Sequence, residues 1–278
     1  MTAAFLYGLV ILSAIAHATW NAMMKSAGDR TLTMIMIRAV GLVIGLLALP
    51  FVDWPAAAGW KWLAATSAVQ FAYYALLIRS YGIGDLSIVH PLSRGLAPVL
   101  TTIAAFLFAG ERLTAGHLAA VALISLGIMA LSFRSGASRA AVVFSLATGV
   151  SVAAYSFLAG MGVRAAGTVL GFQACLEIVN GCGMVGFALV IRRRAFAAYV
   201  RDNTMVGLLA GLMSVLGFVA FLVAARVMPL GPTTALRETS VIFGALIGTL
   251  ILKEGFGARR IVAAALVATG IGLLAILR

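Results

Sequence analysis

The sequence predicts an all-α membrane protein of ten transmembrane helices, arranged as two inverted five-helix repeats around a central cavity. Three observations predict it. The 278 residues are 63% hydrophobic and only 10% charged, with a mean hydropathy of +1.11. A soluble domain would be about 45–50% apolar and about 25% charged. Apolar runs of about 20 residues recur from end to end, the length that crosses a bilayer as a helix, where a barrel would show short alternating segments. The third observation is internal repetition. Arg94 and Arg237 lie 143 positions apart, as do Glu111 and Glu254, and a shift of 139 carries Lys25 onto Arg164, Gly28 onto Gly167 and Arg38 onto Glu177. Agreement at helix ends, turns and intramembrane charges argues for a duplicated unit.

Charged, Gly and Pro punctuation gives the spans in order: 3–24, 31–50, 59–79, 86–109, 115–133, 140–163, 168–191, 204–226, 230–252 and 258–277. The first begins without a basic segment and runs on into Trp20-Asn21, so it reads as a membrane helix rather than a cleaved signal. The second carries Arg38 ahead of VGLVIGLLAL. In the third, Gln70, Tyr73 and Tyr74 stand at i, i+3 and i+4 and share one helix face. His90, Pro91, Arg94 and Pro98 lie inside the fourth, which closes at Gly110-Glu111-Arg112. The fifth is followed by the linker Arg134–Arg139, which separates a first half, 1–134, from a second, 135–278. Tyr155 marks the sixth span, and Gln173, Glu177 and Asn180 the seventh. The ninth carries Arg237 and Glu238. Connections are short, which leaves no soluble domain and no loop-built enzyme site.

Five helices per half is an odd number, so the second half enters the membrane in the opposite sense, with a site expected at the repeat interface near midplane. One set of connections carries Lys25, Arg30, Arg79, Arg134, Arg139, Arg192, Arg193, Arg194, Arg201, Lys253, Arg259 and Arg260; the other carries Lys61, Arg112, Arg164, Arg226 and Arg278. Twelve against five puts the first set in the cytoplasm and both termini outside, with Trp54, Trp60 and Trp62 at the outer interface. The expected location is a plasma membrane, the inner membrane of a bacterium. The net charge of +12 then reflects topology and anionic headgroups, not nucleic acid. Cys175 and Cys182, seven apart on one helix, cannot pair without unwinding it. No metal-ligand spacing, cofactor signature, GxSxG, HExxH or Walker A occurs, so neither metal, cofactor nor enzymatic activity is expected.

FLFAGERLTAGHLAAVALISLGIMAL and TLILKEGFGARRIVAAALVATGIGLLAIL resemble the end of each repeat in the EamA-type family of the drug/metabolite transporter superfamily. There a penultimate helix leads through a G-E-x-L-T-like turn into a Gly-rich last helix. Pro98 matches that helix's usual proline, and Ile37-Arg38-Ala39 is similar to the family's Arg-bearing second helix. The second copy keeps only the Glu of the turn and has Val241 where proline would stand. The resemblance covers nearly the whole chain and implies transport of a small metabolite, with no particular cargo.

Arg94 and Arg237 are each about 10–12 Å deep in their helices. Guanidiniums at that depth strain any snorkelling and suit a carboxylate or phosphate through bidentate bonds; the plainer reading locks each to an acid or to carbonyls freed by proline. The expected substrate contacts are Arg94, Arg237, Tyr73, Tyr74, Gln70, Trp20 and Tyr155, against interhelical packing as the alternative. Glu238 and Glu177 are candidate proton sites, with a cross-repeat Arg38–Glu177 ion pair as the structural alternative. Glu238 points about 100° from its neighbour Arg237 on a helix and need not pair with it. His90, beside Pro91, is a gating candidate. Glycine pairs such as Gly41 and Gly45 read as helix packing.

Three intramembrane cations against two acids favour a carboxylate-bearing cargo, amino acids first, exported without nucleotide and with a proton gradient as the candidate coupling. The competing readings are efflux of lipophilic cations by proton antiport, which needs a cavity carboxylate without an Arg, and a non-transporting membrane sensor or assembly protein. Expected partners are thus a small-molecule substrate and the lipid bilayer, and nothing in the sequence sets an oligomeric state.

Overall fold

The computed structural model describes residues 2–83, 86–131, 138–244 and 258–277, and side chains there except at Lys25, 81–83, 86–90 and 258–260. Among the described residues the chain is all helix, with no strand. The helices are α1 (Ala3–Ser26), α2 (Arg30–Ala48), α3 (Ala57–Ile83), α4 (Leu86–Ala109), α5 (Ala115–Ala130), α6 (Arg139–Ala166), α7 (Val169–Ile191), α8 (Arg193–Val227), α9 (Leu230–Glu238) and α10 (Ala258–Ile276). Six of them, α1, α2, α4, α6, α7 and α8, are long and apolar enough to cross a membrane, while α5 and α10 carry shorter apolar stretches.

Local chemistry sets the boundaries. Thr2, Asp29, Thr114, Ser138 and Thr168 each accept a backbone N–H from the first turn of α1, α2, α5, α6 and α7 respectively, which satisfies donors that a helix start leaves open. Asp29 and Thr168 are 139 positions apart, the same shift that relates Arg38 to Glu177. Two ends need a left-handed residue. Gly167 closes α6 at φ 73° and Gly110 follows α4 at φ 67°, a conformation that costs an L side chain energy.

Packing follows a reciprocal pattern. α1 lies on α8 and α3 on α6, α2 faces α7, α4 faces α9, and α5 faces α10. Glycine permits the closest crossings. A Cβ at Gly181 would lie 2.8 Å from Arg38 O, and one at Gly45 2.8 Å from Ala174 O, which brings α2 and α7 into backbone contact. Gly127 and Gly270, again 143 apart, serve α5 and α10 in the same way. Large apolar side chains such as Leu47, Phe51, Phe108 and Val190 point outward, where lipid would receive them.

Two helices depart from the expected spans. The ninth, expected unbroken over 230–252, stops at Glu238. Thr239 N and Thr239 Oγ1 both bond Leu236 O, at 3.3 and 2.6 Å, and the described residues 240–244 are helical again. A threonine hydroxyl competing for a helix carbonyl is the local cause. The remainder of that span, and the Glu254 turn, lie outside the described residues. The eighth span, expected from 204, is preceded by a helical segment from Arg193 that kinks at Asn203 (φ −126°, ψ 18°), whose side chain bonds Tyr199 O at 3.1 Å.

Candidate functional site

The intramembrane charges are gathered in two clusters. At the α2–α7 crossing, Arg38 Nη1 lies 3.2 Å from Glu177 Oε2. The absence of a side chain at Gly41 makes room for that carboxylate, since a Cβ there would collide with Glu177 Oε2. Gln173 Nε2 donates to Glu177 Oε1 at 2.7 Å, and Arg38 also reaches Tyr74 Oη at 3.5 Å and Ser214 Oγ. Arg38 and Glu177 are both buried. The cross-repeat pair entertained from their matching positions therefore forms.

The second cluster joins α4 to α9. Arg94 Nη1 lies 3.1 Å from Glu238 Oε2, and Arg237 Nη2 and Nε lie 2.9 and 3.2 Å from Glu238 Oε1. The expectation that Arg237 and Glu238 need not pair is corrected here. The helix ends between Glu238 and Thr239, and the long guanidinium arm curls back across the 100° between neighbouring positions. Each helix loses regular backbone bonding near its arginine. Pro98, four residues after Arg94, has no N–H for the Arg94 carbonyl, and Thr239 follows Arg237 by two.

Between the clusters lies a partly open cavity of about 40 Å³, room for about three or four waters on the scale of one per ~10–15 Å³. Its wall includes Arg38, Glu177, Arg237, Gln70, Tyr73, Tyr74, Tyr155 and Trp20, with Ser13, His17, Met34, Ser214 and Phe218 among the rest. The polar wall is rich in donors. Each of three phenols accepts from a different arginine: Tyr73 from Arg94 at 2.8 Å, Tyr74 from Arg38, and Tyr155 from Arg237 at 3.0 Å. A phenol that accepts still has its own proton to donate, which Tyr74 and Tyr155 present beside the cavity. Gln70 gives its oxygen to Asn180 Nδ2 at 2.5 Å, so its amide N–H groups remain for the cavity. Arg237 Nε and Nη2 are engaged by Glu238, Tyr155 and Ser156, whereas Nη1 has no hydrogen-bond partner among the described residues.

Of the expected substrate contacts, six line this cavity: Arg237, Tyr73, Tyr74, Gln70, Trp20 and Tyr155. Arg94 does not; it is fully buried behind Tyr73. Glu238 also lies behind the wall, reached through Arg237. The His90 side chain lies outside the described residues. Sequence reasoning missed Ser214 and Ser13, for which serine in an apolar span is no signal; His17, which reads from sequence as a helix–helix partner, also lines the cavity, set edge-on to Trp20 at 4.9 Å.

The Glu111 turn sits elsewhere and has a structural task. Glu111 Oε2 accepts Leu230 N at 2.9 Å, capping α9, and Oε1 lies 2.8 Å from Arg164 Nη1. Arg164 in turn donates to Ala225 O and Met228 O at 2.9 and 2.7 Å. The turn thus anchors the helix that bears Arg237, and a cleft of about 440 Å³ opens beside it between Arg112 and Arg226.

Comparison with known proteins agrees with this architecture. Residues 4–133 match the EamA-like transporter family, as the resemblance of the Glu111 turn implies. A solved crystal structure superposes with a TM-score of 0.75 over 98% of this chain and 96% of that one, at 15% identity, and therefore shares the fold. No curated protein matches the sequence significantly.

Proposed function

We propose that this chain, which over residues 4–133 belongs to the EamA-like transporter family, exports small carboxylate-bearing metabolites, amino acids and their derivatives among them. Family membership gives membrane transport as the class of function; the cargo is read from the cavity. The observation that carries it is the donor-rich wall, and above all Arg237, a buried residue that lines the cavity and whose Nη1 has no hydrogen-bond partner among the described residues. Carboxylate oxygens accept such bonds at about twice the strength of neutral pairs.

The two halves, 1–134 and 135–278, act as inverted repeats that rock about the cavity. The reciprocal packing of α1 on α8 and α3 on α6, the α2–α7 and α5–α10 glycine crossings and the equivalent helix caps at Asp29 and Thr168 support this plan. At about 40 Å³ the cavity is too small for a metabolite, so cargo enters a conformation in which α4 and α9 have moved apart. The proline inside α4 at Pro98 and the end of α9 at Glu238 suit that motion. In this scheme Arg38–Glu177 braces the repeat interface, Glu238 is the exchange partner and candidate proton site, and both termini face away from the cytoplasm of a bacterial inner membrane.

Efflux of lipophilic cations is the weaker reading, because each carboxylate near the cavity is held by an arginine. The test is purified protein in liposomes with a panel of labelled carboxylates and a quaternary ammonium probe, with and without a pH gradient. Saturable carboxylate flux is expected. Flux of the quaternary cation with none for any carboxylate would sink the proposal.

A further inference from the structure

We infer that the preferred cargo is a net monoanion with a single carboxylate, and that zwitterionic amino acids are discriminated against. This rests on the carboxylate reading above and narrows it. The argument concerns what a cargo's ammonium group would find. Both carboxylates near the cavity are fully engaged. Glu177 Oε1 takes Gln173 at 2.7 Å and Arg38 at 3.5 Å, and Oε2 takes Arg38 at 3.2 Å. Glu238 Oε1 takes Arg237, and Oε2 takes Arg94.

Aromatic faces are the other refuge for a cation, and four of the rings lining the cavity, Tyr73, Tyr74, Tyr155 and Phe218, already have a guanidinium beside them. The Arg38 guanidinium lies 5.7 Å from the centre of Tyr74, and that of Arg94 5.8 Å from Tyr73. Arg237 lies 5.4, 5.8 and 4.3 Å from Tyr155, Phe218 and Phe221. Trp20 packs edge-on with His17, ring centroids 4.9 Å apart. Three buried amide oxygens lack a hydrogen-bond partner among the described residues, Asn21 Oδ1, Gln173 Oε1 and Asn180 Oδ1, but none of these residues lines the cavity.

The charge sum points the same way. Three arginines, Arg38, Arg94 and Arg237, stand against two acids, Glu177 and Glu238, an excess of one positive charge among the described membrane-embedded residues. One carboxylate brings the sum to zero. A zwitterion leaves it at +1 and adds an ammonium without a counter-charge, the arrangement that buried charges tolerate least. The aromatic wall suits an apolar body on that carboxylate.

The test compares matched skeletons: 3-phenylpropanoate with phenylalanine, and 4-methylpentanoate with leucine. Binding is read rather than flux, because the protonated acids cross liposomes unaided. The purified full chain in detergent is titrated with each compound, following its thermal unfolding midpoint, alongside Arg237→Gln. The deaminated acids are expected to bind at least about tenfold more tightly than the amino acids, and Arg237→Gln, itself folded, to lose that binding. An amino acid that binds as well as its deaminated partner overturns the monoanion inference and leaves the carboxylate reading standing. Failure of all four compounds to shift the wild-type midpoint overturns both.

Discussion

Arg94 and Arg237 meet on one carboxylate: Arg94 Nη1 lies 3.1 Å from Glu238 Oε2, and Arg237 Nη2 lies 2.9 Å from Oε1. The two arginines come from different halves of the chain, and all three groups are buried. Only Arg237 also reaches the cavity. Under the proposed function, a cargo carboxylate arriving there would compete with Glu238 for Arg237, while Glu238 kept its hold on Arg94, and Glu238 would stand in for the cargo when the site is empty.

That competition makes a prediction with an unusual sign. Glu238→Gln removes the shared anion and leaves two buried guanidiniums without it, at a cost of about 3–5 kcal/mol. The variant should melt lower than wild type yet gain more from 3-phenylpropanoate, because the internal competitor is gone. Thermal unfolding with and without the acid measures it. A ligand-induced shift no larger than the wild-type shift would contradict the exchange.

Arg38 and Glu177 should behave as a structural pair. Arg38→Met and Glu177→Leu singly each leave a buried charge unmatched and should cost about 3–5 kcal/mol, whereas the double variant should recover most of the loss. Denaturation of the four proteins gives the coupling. If the double variant loses the sum of both singles, the pair is not what holds α2 to α7.

How much of this could be read in the sequence depends on the residue. Arg38 and Glu177 were legible as a pair because charges are so rare in apolar spans that two at equivalent repeat positions demand each other. Gln70, Tyr73 and Tyr74 were legible because helical spacing alone puts them on one face, and that face does meet the cavity. The Arg237–Glu238 contact was not, since regular helix geometry separates neighbours and gives no sign that the helix ends at Thr239. Ser214 bonding Arg38 was hidden for another reason: serines are scattered through these spans, and only the fold selects one. The Glu111 turn was visible as a motif, but its partners Arg164 and Leu230 are remote in sequence.

Glu111→Ala should release the start of α9. It removes the acceptor of Leu230 N and one partner of Arg164, a loss of about 1–2 kcal/mol typical of a helix cap. Amide hydrogen exchange should accelerate at Leu230 and Gly231 while α2 and α7 stay protected. Unchanged exchange at those amides would remove the capping role.

Orientation has its own test. Reporter fusions after Arg278 and ahead of Met1 should both score as external, and fusions within Arg192–Arg194 as cytoplasmic, in line with the twelve-to-five distribution of Lys and Arg between the two sets of connections. A cytoplasmic signal at either terminus would reverse the topology.

The most direct measurement of the central claim is saturable flux of a labelled carboxylate that protein-free liposomes exclude, into liposomes containing wild type, Arg237→Gln or Arg94→Gln, each shown to be folded. The account predicts a loss of at least about tenfold for Arg237→Gln, equivalent to about 1.4 kcal/mol or more, and a smaller loss for Arg94→Gln, which acts through Glu238 and Tyr73. Undiminished flux in a folded Arg237→Gln protein would contradict it.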